Sequence, residues 1–383
     1  MESVDFVIIG AGIAGAAAAY NLALLGRTLL LERESAPAYH TTGRSAAVYT
    51  ETYGSPGIRA LTIDSGRFLR NPPEGFADSR LLTHRGVLLL GRDDQRASLE
   101  RAFDTGLRFC PDLRLLDAAQ ALKLVPVLAP DYVAGGVHEP SASDIDVHAL
   151  HQGFLRGMRA RGGRLVTDAE VDSLHRKAGR WTVNWRSGSV EAAIVVNAAG
   201  AWADEIATMA GAPPVGLVPK RRTAFTFDPP EGVATERWPV VIDVDENFYF
   251  KPESGRLLGS PADETPSPPC DAQPEEYDIA VAADRIETAT TMKIRHLSSK
   301  WAGLRSFVHD KTLVIGADDH AEGFYWLAGQ GGYGIQTSPA AASCLASLIR
   351  TGEIPRSLSE LGLTAEALSP RRCQRESAGP KQR

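Results

Sequence analysis

The chain has 383 residues, of which 43% are hydrophobic, and a formal net charge of −6 at pH 7. This length suffices for about two domains with buried cores, and an acidic chain without a basic block is not expected to bind nucleic acid. The four cysteines are scattered, which argues against a disulfide framework or a metal site. Acidic residues replace the positive region of a signal peptide, and no stretch is long and apolar enough to span a membrane, so we expect a cytoplasmic protein.

The first thirty residues carry the pattern of a dinucleotide-binding βαβ unit. Two short apolar runs, the second ending at Glu32, flank Gly10, Gly12 and Gly15. Gly10 would make the tight turn, Gly12 would let the backbone approach a pyrophosphate, and Gly15 would let helix and strand pack closely. Glu32 would accept hydrogen bonds from ribose hydroxyls.

The next elements follow in chain order. A hydroxyl-rich segment over 39–47 indicates a ligand-facing loop entering a helix, with an ordinary surface turn as the alternative. The patterns then predict a strand over 85–90, helices over 93–109 and 146–161, a strand pair within 164–190, a buried strand leading into the turn 197–202, antiparallel strands within 216–260, an exposed excursion over 261–274, strands over 312–316 and 324–328, and a helix from about 336 to 349.

Nucleotide-related segments therefore occur at the beginning, middle and end of the chain. We predict an α/β fold in which a Rossmann-like domain is assembled from three segments and an α+β domain with an antiparallel-rich sheet is inserted twice. The predicted boundaries are 1–84, 145–215 and 300–372 for the nucleotide-binding domain, 85–144 and 216–299 for the substrate domain, and 373–383 for a flexible tail.

A second glycine-rich loop, over 329–334, favours a flavin over NAD. The loop opens a predicted helix, whose N-terminus offers free N–H groups and a partial positive charge. Such a site suits the negative charge that a reduced flavin carries, and an NAD enzyme has no evident need for it. The alternative is a plain loop whose glycines relieve tight packing.

Five motifs in order resemble the FAD-dependent D-amino acid oxidase superfamily. They are the run 10–32, the loop 40–47, the turn 197–202, the segment 302–307 and the loop 329–334. Within that superfamily, residues 1 to about 372 most resemble the bacterial catabolic D-arginine dehydrogenases. The resemblance implies an FAD-dependent enzyme that oxidises a D-amino acid to an imino acid, which water hydrolyses to a 2-oxo acid and ammonia.

The resemblance also implies a set of FAD-binding residues. Binding would be noncovalent, since no cysteine occurs between Cys270 and Cys344, the region where covalent relatives tether their flavin. The implied cofactor residues are Gly10, Gly12, Ile13, Ala14, Gly15, Glu32, Arg33, Thr42, Gly43, Arg44, Ser45, Ala46, Val171, Ala199, Gly200, Trp202, Gly331, Gly332, Tyr333, Gly334 and Ile335.

Recognition of an amino acid requires partners for its carboxylate and its amine. Arg222 and Arg305 are the candidates for the carboxylate, because a guanidinium binds it with two parallel hydrogen bonds. The family's phenol contacts match Tyr53 and Tyr249, and the family's amine acceptor matches the carbonyl of Gly332. A structural salt bridge is the alternative for each arginine, and a core position is the alternative for each tyrosine.

The side-chain pocket departs from the D-arginine dehydrogenases. Arginine-preferring relatives have a glutamate at the position that matches Val87 and a histidine at the position that matches Val48. Thr50 remains as a small polar wall residue, and Val240 and Ile242 offer apolar wall. We therefore expect a preference for neutral, apolar D-amino acids.

The reaction partners are less specified. The resemblance favours a dehydrogenase over an oxidase, with a quinone or another electron acceptor, O₂ included. One alternative is a secondary-amine oxidase of the sarcosine or glycine type. A second alternative is a non-catalytic FAD-binding subunit for assembly or electron transfer.

Overall fold

Residues 2–377, the part of the chain that the computed structural model describes, form twenty strands and eleven α-helices. The strands are β1 Glu2–Ile9, β2 Thr28–Leu31, β3 Val48–Tyr49, β4 Leu82–His84, β5 Val87–Gly91, β6 Arg114–Asp117, β7 Gly135–Glu139, β8 Ser143–Ile145, β9 Arg164–Val166, β10 Val171–Lys177, β11 Arg180–Trp185, β12 Gly188–Asn197, β13 Val218–Phe227, β14 Val240–Asp243, β15 Tyr249–Glu253, β16 Arg256–Ser260, β17 Thr265–Pro266, β18 Leu297–Phe307, β19 Val314–Ala317 and β20 Phe324–Ala328. The helices are α1 Ile13–Leu22, α2 Pro56–Arg70, α3 Arg96–Gly106, α4 Ala118–Leu124, α5 Val147–Ala160, α6 Ala203–Met209, α7 Glu276–Ala289, α8 Gly334–Thr351, α9 Arg356–Ser359, α10 Ala365–Leu368 and α11 Arg371–Ser377.

The first sheet has a parallel centre in the order β9-β2-β1-β12-β20. Its strands are continuous apolar runs because helices cover both faces of a parallel sheet. Val7 and Ile8, neighbours on β1 that point to opposite faces, are both fully buried. On one side lies α1, whose alanines let it pack closely against α5 and α8. This sheet matches the predicted Rossmann-like unit and places the carboxyl ends of β1 and β12 side by side.

The second sheet has the order β17-β13-β16-β15-β14-β5-β7-β6, with β18 paired to β13. Its ladders are antiparallel except between β14 and β5. One face is covered by α4 and α7 over a core that includes Phe225 and Phe250, both fully buried. A third, small sheet has the order β3-β8-β4. In the sequence, β3 follows β2 of the first sheet, β4 precedes β5 of the second sheet, and β8 lies between β7 of the second sheet and β9 of the first.

Two predictions about the second sheet are corrected. The nucleotide-binding segment was predicted to begin at residue 300, but β18 runs from Leu297 to Phe307 along β13 and so belongs to the second sheet up to Phe307. The segment 261–274 is not a fully exposed excursion, since Ala262 and Ala272 are buried in it. The remaining predicted domain boundaries stay a prediction.

Two further expectations differ from the structure. The loop over 39–47 forms a single 3₁₀ turn at Thr41–Arg44 and leads into β3, and α2 begins only at Pro56. The tail was expected to be flexible from residue 373, but α11 extends to Ser377 and Cys373 is buried. Residues 378–383 lie outside the described residues.

Candidate active site

A cleft begins where the carboxyl end of β1 turns into α1. Gly10 has φ +99°, a conformation that favours glycine, and a Cβ there would lie 2.5 Å from the carbonyl oxygen of Ala198. A Cβ on Gly15 would lie 1.8 Å from the carbonyl oxygen of Gly10. Gly10 and Gly15 therefore lie where a side chain would clash with neighbouring backbone, and the role predicted for Gly12 stays a prediction.

Glu32 lies at the end of β2 with both carboxylate oxygens engaged. Its Oε2 accepts the N–H of Ala11 at 2.8 Å and its Oε1 accepts the N–H of Glu34 at 3.0 Å. Burial raises the pKa of Glu32, and these two donors oppose the rise. Nearby, the guanidinium of Arg33 stacks over Trp202 at 4.6 Å. A carboxylate beside a cation–aromatic pair fits the ribose and adenine of a dinucleotide.

The centre of the cleft is held by polar side chains behind the backbone. Thr42 Oγ1 accepts the N–H of Ile13 at 3.0 Å, which satisfies one of the free donors at the start of α1. Asn197 is fully buried and donates to the carbonyl of Ala203 at 2.7 Å. His151 was missed by the sequence analysis; its Nε2 bonds the carbonyl of Ala11 at 2.9 Å. Burial lowers the pKa of this histidine, so the neutral ring donates the bond.

The late glycine loop closes the other end of the cleft. The N–H of Gly331 donates to the carbonyl of Ser306 at 2.9 Å, which ties the loop to the end of β18. A Cβ on Gly331 would lie 2.2 Å from the ring of Phe307, so only glycine fits there. The first residues of α8 border the same cavity, and its N-terminus supplies a partial positive charge.

Most of the predicted cofactor residues line two cavities that share a boundary at Gly12, Thr42 and Gly200. The cavity beside β2 contains Gly10, Glu32, Arg33, Val171, Ala199 and Trp202. The cavity beside α8 contains Ile13, Ala14, Arg44, Ser45, Ala46, Gly331, Gly332, Gly334 and Ile335.

Four predicted cofactor residues stand behind the cleft or are already engaged. Gly15, Gly43 and Tyr333 line neither cavity and support the cleft wall. Arg44 lines the cleft, but its guanidinium donates to the carbonyls of Ala272 and Ala302, both at 2.9 Å. The continuous, glycine-lined cleft, with an acid at one end and a helix N-terminus at the other, fits FAD.

A third cavity, of about 1110 Å³ including its mouth, adjoins the α8 end of the cleft. All eight predicted substrate residues line it: Val48, Thr50, Tyr53, Val87, Arg222, Tyr249, Arg305 and Gly332. Val240 and Ile242 line it as well. These eight residues come from six segments distant in sequence, and we call the space that they line the substrate cavity.

Two guanidinium groups dominate the substrate cavity. In the ladder between β13 and β18, Arg222 faces Gly303 and Arg305 faces Lys220, so the two arginines are diagonal neighbours on one face. Arg222 donates its Nε–H to the carbonyl of Asp263 at 2.8 Å. Its buried Nη2 has no hydrogen-bond partner and lies 3.7 Å from Oε1 of Glu264 in a loose ion pair. The backbone of Arg305 is paired with β13, but its side chain makes no hydrogen bond or ion pair with any residue within 2–377.

The positive charges of Arg222 and Arg305 favour the binding of an anion in the substrate cavity. Burial lowers the pKa of Arg222, and the positive charge of Arg305 lowers it further. Burial alone would lower the pKa of Arg305, but the phenols of Tyr53 and Tyr249 and the carboxylate of Glu246 outweigh it and raise the pKa. Two cations facing one cavity, with spare donors, are the arrangement that binds a carboxylate.

The tyrosines of the site supply hydroxyl donors beside the arginines. Tyr53 packs against Tyr333 with ring centroids 5.0 Å apart. Burial raises the pKa of Tyr53, with Arg305 opposing the rise, so its phenol keeps its proton at neutral pH. Tyr249 is buried on β15 and lines the cavity next to Arg222 and Arg305.

The substrate cavity is more polar than the sequence suggests. Besides its valines it is lined by Thr52, Asp243, Glu246 and Lys251. Glu139, which lies behind the wall, was missed as well. Nothing in the local pattern signals it, because β7 reads as an ordinary strand and the partners of this carboxylate are distant in sequence. The expectation of a wall formed mainly by apolar residues is corrected accordingly.

Among the residues within 2–377, the structure contains no helix with the length and hydropathy needed to cross a membrane.

Two curated relatives match nearly the whole chain. One is FAD-dependent oxidoreductase domain-containing protein 1 of Bos taurus, 26% identical over 409 residues, which span 92% of this chain and 82% of that protein. The other is the mitochondrial dimethylglycine dehydrogenase of Mus musculus, 27% identical over 383 residues, spanning 94% of this chain. The chain spans only 44% of the length of that dehydrogenase. The narrower resemblance to D-arginine dehydrogenases is not confirmed by these relatives.

Solved structures share the fold over nearly its full length. L-proline dehydrogenase from P. horikoshii superposes with a TM-score of 0.83 at 22% identity, covering 98% of this chain and 99% of that chain. Glycine oxidase from Geobacillus kaustophilus gives 0.81 at 21% identity, covering 95% and 99%. These similarities confirm the predicted fold class.

The family model described as "DAO: FAD dependent oxidoreductase" matches residues 5–348. This match covers the glycine-rich turn, both arginines and the late glycine loop, the features that form the cleft and the substrate cavity. The chain therefore belongs to the DAO family of FAD-dependent oxidoreductases.

Proposed function

We propose that the protein catalyses the oxidative deamination of D-amino acids with neutral side chains, acting as a dehydrogenase. The observation that carries the proposal is the pair of guanidinium groups in the substrate cavity. The side chain of Arg305 has no hydrogen-bond or ion-pair partner within 2–377. The Nη2 of Arg222 makes no hydrogen bond and has Glu264 Oε1, 3.7 Å away, as its ion-pair partner. A substrate carboxylate would supply the missing hydrogen bonds to both. Burying two neighbouring cations with donors left over is costly for a fold, so we attribute them to ligand binding.

The chain's own residues would bind and orient the substrate. Arg222, Arg305 and the phenols of Tyr53 and Tyr249 would hold the carboxylate. This would set the α-carbon beside the loop that bears Gly332, whose carbonyl is the proposed acceptor for the amine. Holding the reacting carbon in one position supplies much of the rate by proximity and orientation. Bound FAD supplies the acceptor for the hydride that leaves the α-carbon.

The proton balance needs no side-chain base in this proposal. The substrate amine loses its proton to water, and the α-carbon then loses hydrogen with its electron pair. The product is an imino acid, which water hydrolyses to a 2-oxo acid and ammonia. An external acceptor, a quinone or O₂, takes up the two electrons.

The preference for neutral side chains follows from the wall opposite the arginines. Val48, Val87, Val240 and Ile242 form its apolar part. A cationic side chain would lose its hydration against these residues. The two carboxylates that line the cavity are already engaged, since Asp243 accepts from Gln95 and Asn247 and Glu246 acts on Arg305.

Oxidation of N-alkyl amino acids is the second candidate. The similarity to dimethylglycine dehydrogenase over 94% of this chain favours it, and the arginine pair would serve an N-methylated substrate equally. The two candidates differ in whether a secondary amine is accepted.

Anaerobic mixing tests both candidates. The holoprotein would be mixed with D-amino acids, L-amino acids, sarcosine and dimethylglycine while the visible absorption of the oxidised flavin is followed. Rapid bleaching by neutral D-amino acids, with slow recovery in air, is the result expected of a D-amino acid dehydrogenase. Bleaching by sarcosine or dimethylglycine alone would replace it with the second candidate. No bleaching at all would mean that the arginine pair serves another substrate or that the protein is a non-catalytic FAD protein.

A further inference from the structure

We propose that Glu139, acting through the hydroxyl groups of Thr50 and Thr52, turns the side-chain end of the substrate cavity into a hydrogen-bond acceptor. The cavity would then select ligands whose side chain carries a donor such as a hydroxyl group over their alkyl isosteres. This inference rests on the proposed function for the position of the ligand's carboxylate, and it narrows the substrate class to neutral side chains with a donor.

The carboxylate of Glu139 collects three donors. Glu139 lies on β7 opposite Val87 and is 2% exposed. Its Oε2 accepts the hydroxyl of Thr50 at 2.7 Å and that of Thr52 at 2.6 Å, and its Oε1 accepts the N–H of Glu51 at 3.0 Å. Distances this short are typical of hydroxyl groups bonded to a charged carboxylate.

We infer that the carboxylate is ionised, because two hydroxyls lie 2.6 and 2.7 Å from one of its oxygens while the N–H of Glu51 donates to the other. A protonated carboxyl would donate its own proton to one of the two threonines and could accept from only one of them. Burial raises the pKa of Glu139, and the hydroxyls of Thr52 and Thr50 and the N–H of Glu51 oppose that rise. Together these three donors replace the water that the buried charge has lost.

The consequence lies in the direction of the two hydroxyl protons. A threonine hydroxyl has one proton and two lone pairs. The two hydroxyl oxygens lie 3.2 Å apart, within hydrogen-bond distance of each other. If both protons go to Glu139, as the shorter distances favour, Thr50 and Thr52 can only accept from a ligand, and both line the substrate cavity. The amide of Gln336 is fixed nearby, since its Oε1 accepts the N–H of Thr50 at 3.2 Å and its Nε2 donates to Thr62 at 2.9 Å.

A site that can accept but not donate a hydrogen bond distinguishes between ligands of the same shape that do and do not carry a donor. A ligand hydroxyl would donate to the remaining lone pairs of the threonine oxygens, whereas a methyl group of the same size would leave those lone pairs without a donor. We expect a difference of about 10-fold in affinity, the net effect of about one hydrogen bond.

Binding of unreactive carboxylates tests the inference without turnover. The oxidised holoprotein would be titrated at about pH 8 with ω-hydroxy carboxylates of three to five carbons and with the alkanoates in which a methyl group replaces the hydroxyl. The change in the flavin spectrum gives each Kd. At one chain length the hydroxy acid should bind about 10-fold more tightly than its alkanoate.

Variants identify the acceptor. Thr50→Val and Thr52→Val keep the shape of the wall and should reduce the preference to about 1 while changing the Kd of the alkanoate less than about 3-fold. Glu139→Gln should also reduce the preference for the hydroxy acid, because the amide can donate to one threonine oxygen and so leave that threonine's own proton free to donate. Thr226→Val is the matched control and should keep the preference, since Thr226 pairs with Ser299 outside the cavity.

The outcomes separate this inference from the proposed function. It is overturned by an absence of preference at every chain length, or by a preference that survives both valine substitutions. It is also overturned if none of the carboxylates binds. If they bind with the expected preference but no amino acid bleaches the flavin, the proposed function fails and the acceptor site stands.

Discussion

Replacing Arg305 with methionine should make the protein more stable and inactive. The guanidinium of Arg305 borders the substrate cavity without an ion pair to any residue within 2–377, although the carboxylate of Glu246 acts on it from farther away. Its charge lowers the pKa of the neighbouring Arg222. Methionine has a similar length, fills the same path and removes the unpaired charge. Stability is therefore gained from the relief of repulsion, and function is lost with the carboxylate contact.

The size of both effects can be worked out. Relief of strain at a functional site typically contributes about 0.5–2 kcal/mol. Unfolding entropy of about 2.1 cal/mol/K per residue gives about 0.8 kcal/mol/K for a chain of this length, so Tm should rise by about 1–2 °C. Loss of a two-pronged charged contact costs about 3–4 kcal/mol, which lowers kcat/KM by about 10²–10³-fold.

Arg221 provides the matched control. It precedes Arg222 on β13, points to the other face, and pairs with Glu275 and with Asp278, the latter at 2.8 Å. Arg221→Met should lower Tm and leave kcat/KM within about 3-fold.

Thermal unfolding followed by flavin fluorescence and steady-state oxidation of the best substrate measure the two quantities. An Arg305→Met protein that melts below the wild type, or that keeps wild-type kcat/KM, would refute the reasoning.

Three further outcomes are expected. Because burial raises the pKa of Glu32, proton uptake should begin above the usual range of a glutamate, and FAD affinity should fall as pH is lowered from about 7 to about 5. The Kd of the apoprotein for FAD, measured across this pH range, checks the expected loss of affinity. The Glu32→Gln variant should bind FAD weakly at every pH, so its Kd should change less with pH. Gly15→Ala should yield no FAD-bound protein, whereas Gly57→Ala, where a Cβ meets nothing closer than 3.4 Å, should fold and bind FAD normally. Burial raises the pKa of the Cys344 thiol to about 12, so iodoacetamide should label the half-buried Cys270 first, as mass spectrometry would show.

The parts of the molecule that follow from local chemistry were predictable. The turn at Gly10, the strand ending before Glu32 and the strand over 324–328 depend on neighbours in sequence, and the structure has them at the predicted positions. The helix predicted over 146–161 occurs as Val147–Ala160, because Asp146 caps it by accepting the N–H of Ala149 at 2.8 Å. FAD as the cofactor is confirmed by the family.

The missed features depend on pairing between distant segments. Glu139 receives its donors from residues 87 to 89 positions earlier, so no local pattern could indicate that its charge is satisfied. The partner of Arg222 is a backbone carbonyl, that of Asp263, and every residue type has one. The ladder of β18 with β13 joins strands about 80 residues apart, and its extent is set by tertiary packing.

Strand β18 contributes both to binding of the substrate carboxylate and to the position of the cofactor loop. It carries Arg305, and the next carbonyl, that of Ser306, receives the N–H of Gly331 in the cofactor loop. The carboxylate contact and the cofactor cradle are thus fixed to one another through a single peptide unit, while Val87 and Val240 belong to other strands. Substrate range can therefore diverge by exchange of wall residues without disturbing the geometry of the reacting carbon. For engineering, the wall is the place to randomise, and the junction between Arg305 and Gly331 is the place to leave intact.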